Sequence, residues 1–164
     1  MTAPAPRTLS EAAQRVQDAL RAAGFANTVR ELDSPVRTAA AAAQAVGCTV
    51  EQIVKSLVFR RVTSGAPLLV VASGRHRVSE ARLESLVGEA LRMGDPGFVR
   101  DVTGFAIGGI PPIGHPRALE TLVDAHLLTL GGLWAAAGHP NSLFPLSGDE
   151  LVRMTRGRVA EVAE

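Results

Sequence analysis

Apolar residues enter the chain at helical spacing: Leu9, Ala13, Val16 and Leu20 fall on one face of a 3.6-residue turn. Thr8 with Glu11 reaching back matches a capping box, and Gly24 supplies the stop, so a helix is expected between them. Residues 28–32 read as a first strand. Ser34-Pro35, a cap followed by a proline at the first helical position, starts a second helix that takes in the alanine run 39–43 and closes at Gly47. Thr49 and Gln52 cap a short helical turn leading to Lys55, and from there the period changes. Residues 56–62 and 68–72, rich in Val, Leu and Phe and separated by Thr-Ser-Gly-Ala-Pro, read as a hairpin. Ser79 caps a helix through Val87, residues 90–93 form another strand, and Asp95-Pro96 begins a short helix through about Val102. Residues 117–123 and 130–137 read as strands, the second a buried one carrying Trp134. Ser147 caps a last helix, residues 148–155, with Leu151, Val152 and Met154 toward the core and a short extension after it. Short strands mixed with capped helices, without strict alternation, indicate an α+β fold. Residues 1–7, with Pro4 and Pro6, read as a flexible tail, and residues 8–164 as a single domain without repeats or linkers.

Composition narrows the classes of function. The chain has 164 residues, 46% apolar and 20% charged, enough for a real core. Aromatic residues are 4% with no Tyr, which argues against a base-stacking platform for single strands. A formal charge of +1 argues against a strong general nucleic-acid binder: DNA is not an expected partner, and RNA would be held weakly or with assistance. The lone Cys48 excludes an intrachain disulfide and fits a reducing compartment. Nothing resembles a signal peptide or reaches the roughly 18 apolar residues of a membrane span, so the expected location is the cytoplasm, away from membranes. Four His and one Cys are scattered without the close pairs of a zinc site, so no metal is expected. Val54-Lys55-Ser56 lacks the glycine a P-loop needs before its lysine, and no cofactor motif is present.

Candidate chemistry concentrates in residues 103–116. Gly104, Gly108, Gly109 and Gly114 open backbone angles closed to other residues, whereas Pro111, Pro112 and Pro116 fix theirs, giving a bent but stiff loop. Such a loop either lets a carbonyl oxygen or carboxylate meet the N–H groups of Gly108 and Gly109, or is an ordinary crossing from one element to the next. Lys55, the one lysine beside sixteen arginines, is either a strand-end side chain snorkelling to water or a compact amine kept for a site. Gly-His-Pro occurs at 114–116 and 138–140. The proline holds each imidazole out on extended backbone, where His115 reads as a turn residue and His139 equally as a turn residue or a group that orients substrate or takes a proton. The basic run Arg75-His76-Arg77 is either a phosphate contact or a solvated turn.

Ile-Val-Lys-Ser-Leu-Val-Phe at 53–59, followed by Thr-Gly-Phe-Ala-Ile-Gly-Gly-Ile-Pro-Pro-Ile-Gly at 103–114, resembles the YbaK/prolyl-tRNA synthetase associated-domain family. Its members are free-standing aminoacyl-tRNA deacylases and the editing domain inserted in bacterial prolyl-tRNA synthetases. The resemblance runs from about Val29 to Thr155. It implies a mixed, barrel-like sheet of six or seven strands flanked by helices. It also implies an aminoacyl-tRNA deacylase for translation quality control, acting on tRNA(Pro) that carries a small residue such as Ala, Ser or Cys. Aminoacyl-tRNA, with prolyl-tRNA synthetase, would be the partner. The family's Gly-x-x-x-Pro loop falls on Gly108 to Pro112 and its lysine on Lys55. Lys55, Gly108 and Gly109 are then the catalytic group, Lys55 binding the terminal phosphate or substrate oxygens and the loop backbone holding the aminoacyl carbonyl. Ile110, Pro112, Gly114, Ala136, Gly138 and His139 become the substrate-binding positions. The attacking water would be organised by the ribose hydroxyl of the tRNA itself. Relatives carry a polar residue where this chain has Ala136, which opens the amino-acid preference. The competing reading is a non-catalytic module that binds an aminoacyl end, a nucleotide or a synthetase in the same pocket.

Overall fold

The computed structural model describes residues 8–164, so the expected tail at 1–7 lies outside the described residues. The first helix, α1 (Glu11–Ala22), is capped by Ser10, not by Thr8: the Ser10 hydroxyl accepts from the Ala13 N–H at 3.2 Å, and the Ser10 N–H donates to Glu31 at 2.8 Å. That contact pins α1 to β1 (Arg30–Glu31), a strand shorter than the expected 28–32. The second helix, α2 (Ala39–Val46), begins after Thr38 and not at Ser34-Pro35. The reason is that the Val36 N–H is taken by the Pro140 carbonyl at 2.9 Å, which draws residues ahead of the helix onto a distant loop. Thr49 and Gln52 cap each other around a 3-10 turn, Val50–Gln52.

The hairpin is β2 (Ile53–Arg61) against β3 (Pro67–Ser73), antiparallel. Next come α3 (Glu80–Val87), capped by Ser79, β4 (Leu91–Met93), and α4 (Pro96–Thr103), capped by Asp95. Strand β5 (Thr121–Asp124) is shorter than expected at its start. A second 3-10 turn, Ala125–Thr129, separates it from β6 (Leu133–Ala136), so the Gly131-Gly132 pair lies outside the strand. Two strands went unanticipated. In β7 (Ser142–Leu146), Pro145 is tolerated because β1 pairs only with Ser142 and Leu143, leaving the proline with a partner on the β6 side alone. After α5 (Gly148–Thr155), with its Ser147–Glu150 capping box, β8 (Arg158–Ala160) adds in parallel to β5.

The result is α+β with one mixed sheet in the order β1-β7-β6-β2-β3-β5-β8, and β4 also on β2. It holds eight strands, more than six or seven, and stays open, with β1 and β8 at its ends. Both faces are covered, as the unbroken apolar run of β3 requires. Leu69 and Val71 join Val16 and Leu20 of α1, Val99 of α4 and Leu151 of α5 on one face. Leu68, Val70 and Ala72 pack with Leu83 of α3 on the other, where Ala42 and Ala43 of α2 also cover Ile53 and Leu143. Truncating one fully buried residue such as Leu69 to alanine would cost about 2–5 kcal/mol.

Candidate functional site

Strand β2 has one edge shared by two neighbours. Parallel β6 meets it only at Ile53 and Val54, and antiparallel β4 only from Phe59 to Arg61. Between them the sheet opens where β6 ends and the chain turns off at Gly138, the kind of place where parting strands leave room for a ligand. Lys55, expected where a helix hands over to a strand, is the third residue of β2 and stands at this opening.

A cavity of about 240 Å³ occupies it. Its apolar lining comes from Val36, Ala39, Ala42, Ile53, Ala136 and Leu143, and its polar groups include Lys55, Ser56, Gly108 and His139. The structure therefore brings Lys55, Gly108, Ile110, Ala136 and His139 to one cavity across 84 residues of chain. Gly109 and Gly138 stand beside it. A Cβ on Gly109 would lie 2.7 Å from both the Gly138 carbonyl carbon and the His139 nitrogen, and the Gly109 carbonyl accepts from the Gly138 N–H at 2.7 Å. Main chain meets main chain here, and only glycine fits. The Gly109 N–H is spent on the Ala106 carbonyl at 3.2 Å, whereas the Gly108 N–H has no partner among the described residues. One N–H, not two, is thus open to a ligand.

Pro112 and Gly114 are placed elsewhere. Beyond Ile110 the loop turns toward α1, where Gly114 comes within van der Waals reach of Ala19 and Phe105, and both residues line a separate crevice of about 370 Å³.

The Lys55 ammonium donates to the His76 carbonyl. Burial lowers its pKa below the ordinary lysine value, and the Asp124 carboxylate opposes that shift. At His139, Nδ1 meets the Asn141 side-chain oxygen and, at 3.4 Å, the Asn141 backbone N–H, while Asn141 Nδ2 donates to the Leu32 carbonyl at 3.4 Å; the other ring nitrogen is Nε2. That nitrogen has no partner among the described residues.

A polar cluster went unseen in the sequence. Asp124, 2% exposed, accepts from the Ser73 N–H at 3.0 Å, from His76 Nδ1 at 2.7 Å and from the His126 N–H at 3.0 Å. His126 Nε2 pairs with Glu51 at 2.9 Å, and the two imidazoles stand 4.7 Å apart. The only signal was a carboxylate closing an otherwise apolar strand, since burying a charge is costly without partners. No group of three or more His, Cys, Asp or Glu among the described residues is arranged to hold a metal. Nor is any described helix long and apolar enough to cross a membrane.

The family model for the aminoacyl-tRNA editing domain matches residues 33–154. A solved structure described as "a putative trans-editing enzyme for prolyl tRNA synthetase" is 46% identical, superposes with a TM-score of 0.92, and the match covers 96% of this chain and 99% of that one. The crystal structure of hypothetical protein APE2540 is 31% identical with a TM-score of 0.84, covering 92% of this chain and 99% of that one. YwhH of Bacillus subtilis (strain 168), an uncharacterized protein, is 30% identical over 133 residues, which is 81% of this chain and 84% of YwhH. Matched across most of its length, with the cavity inside the matched region, the chain belongs to the aminoacyl-tRNA editing domain family.

Proposed function

We propose that the protein hydrolyses the ester of a mischarged tRNA, with tRNA(Pro) carrying a small residue such as Ala, Ser or Cys as its substrate. Editing in general follows from the family. The prolyl system is supported by the 46%-identical structure and its described link to prolyl-tRNA synthetase. The observation that carries the reading is one cavity lined by Lys55, by Gly108, whose N–H has no partner among the described residues, and by His139, beside apolar walls.

An aminoacyl ester is already activated, so positioning and oxyanion stabilisation do most of the work. Lys55 binds the terminal phosphate or the substrate oxygens. The Gly108 N–H donates to the carbonyl oxygen as it becomes the tetrahedral oxyanion. His139 Nε2 accepts a proton from the attacking water, directly or through the ribose hydroxyl. Collapse of the intermediate breaks the ester bond, releasing the amino acid and returning the proton to the ribose oxygen. The apolar walls exclude bulk, which supplies discrimination that one binding step, limited to about 1–3 kcal/mol per methylene, does not reach. On this reading the protein acts in the cytoplasm, as one domain over residues 8–164.

The commitment of the Gly109 N–H to Ala106 favours a second reading, a module that binds an aminoacyl end without turnover. Deacylation of tRNA(Pro) charged with Ala, Cys, Ser or Thr, by wild type and Lys55→Ala side by side, separates the two. Cleavage of one ester, lost at least about tenfold in the variant, or about 1.4 kcal/mol of barrier, supports the enzyme. Binding without cleavage across the panel supports the module.

A further inference from the structure

Lys55 has four flexible carbons to its amine, yet its ammonium is tied to a backbone carbonyl. The position of that carbonyl is set by residues 73–76, and Asp124 holds both ends of this segment. Its Oδ2 takes the Ser73 N–H at 3.0 Å and the His76 imidazole at 2.7 Å. Oδ1 takes the His126 N–H at 3.0 Å, which fixes the carboxylate itself. Ser73 is fastened again through its hydroxyl, which donates to the Glu51 carbonyl at 2.8 Å. None of Glu51, Ser73, His76, Asp124 and His126 lines the cavity that Lys55 enters. A carboxylate with so little exposure keeps its charge at a cost, and here three donors offset it while its field reaches the lysine.

We propose that Asp124, acting through His76, is the positioning residue for Lys55: it clamps the 73–76 segment so that the His76 carbonyl holds the Lys55 ammonium. The proposal deepens the deacylase reading and rests on it for the step in which Lys55 meets substrate. Around the amine, Arg37 and His139 line the same cavity, Arg75 neighbours His76, and Glu51 pairs with His126. Asp124→Asn removes none of these other charges, so a lysine midpoint that moves down reports the loss of the Asp124 carboxylate.

Lys55 is the only lysine, so 13C-lysine labelling gives one Cε resonance whose pH titration reports this amine directly. In Asp124→Asn the midpoint moves to lower pH than in wild type. The alkaline limb of kcat/KM for deacylation, after subtraction of the spontaneous rate, moves with it, whereas a purely structural defect lowers the rate at all pH without moving the limb. His76→Ala, which removes the imidazole link but keeps the carbonyl, lowers kcat/KM about five- to tenfold. His76→Asn, whose amide can donate to Asp124 in place of Nδ1, returns it to within about twofold of wild type. Folded Asp124→Asn with an unchanged lysine titration and an unchanged limb overturns the proposal, as does His76→Asn performing no better than His76→Ala. If Asp124→Asn does not fold, the His76 pair decides. If wild type cleaves no ester, the deacylase reading falls, and the lysine titration alone judges the positioning of Lys55 by Asp124.

Discussion

The two Gly-His-Pro tripeptides share a backbone and end in opposite surroundings. Gly114 and Gly138 have nearly the same left-handed φ, 94° and 93°. His139 meets Asn141 through Nδ1 and lines the cavity beside Lys55. His115 turns inward instead, its Nε2 on the Pro111 carbonyl of its own loop at 2.8 Å, and burial pushes its pKa down while that carbonyl pulls it up. The glycines differ as well. A Cβ at 138 would come to 2.8 Å from the Ala12 carbonyl oxygen, whereas at 114 the nearest atom is the Ala19 methyl at 3.5 Å. A tripeptide thus dictates local dihedrals, and what faces it across the fold decides whether the imidazole joins the cavity of Lys55 or bonds back to its own loop.

The pair of glycines gives the largest effect that can break this contrast. Gly138→Ala carries about 1–3 kcal/mol of overpacking against the Ala12 main chain, on top of about 1–2 kcal/mol for a left-handed alanine. Gly114→Ala should show only the second cost. Thermal melts resolve the two, since each kcal/mol shifts Tm by roughly 2–4 °C at this chain length; equal losses would mean that 138 is no tighter than 114. Next comes chemistry. His139→Ala should lower deacylation about 100-fold, the low end for a positioned proton acceptor, with His115→Ala within about twofold of wild type. A comparable fall in both would remove His139 from the site.

Smallest is the acid response. Because the folded His115 has the lower pKa, the unfolded chain takes up its proton first as pH falls below about 6.5. Its contribution is therefore complete above that value and is lost on acidification toward the depressed folded pKa. His115→Gln should flatten the drop in denaturation midpoint between pH 7.5 and 5.5, and an unchanged slope would show that His115 is not held neutral.

Local signals were legible where both partners lie within a turn. Ser79, Asp95, Thr49 with Gln52, and Ser147 with Glu150 each bond to residues three positions on, so their spacing announces them. Ser10 and Thr38 displaced the nearer-looking caps because the Ser10 and Val36 N–H groups found partners at Glu31 and Pro140, contacts that a local pattern does not contain. Strands β7 and β8 are short and defined by their neighbours, one of them carrying a proline beyond the reach of β1, which pairs only with Ser142 and Leu143. The site divides in the same way. Lys55 and Gly108 stood out because one is the only lysine and the other belongs to a run rich in glycine and proline. The link between His76 and Asp124 spans 48 positions and exists only through the register of β3 beside β5.

The contact between Gly109 and Gly138 also bears on how this pocket can evolve. Mutation exchanges side chains, and this contact beside the cavity is built of backbone, so no single substitution there can reshape it without separating two loops. Descendants with a differently shaped cavity must vary its own walls, Val36, Ala39, Ala42, Ala136 and Leu143, where a methyl group more or less alters the space without touching that main-chain contact. The backbone beside the cavity is thereby held constant through descent, and its walls are left to selection.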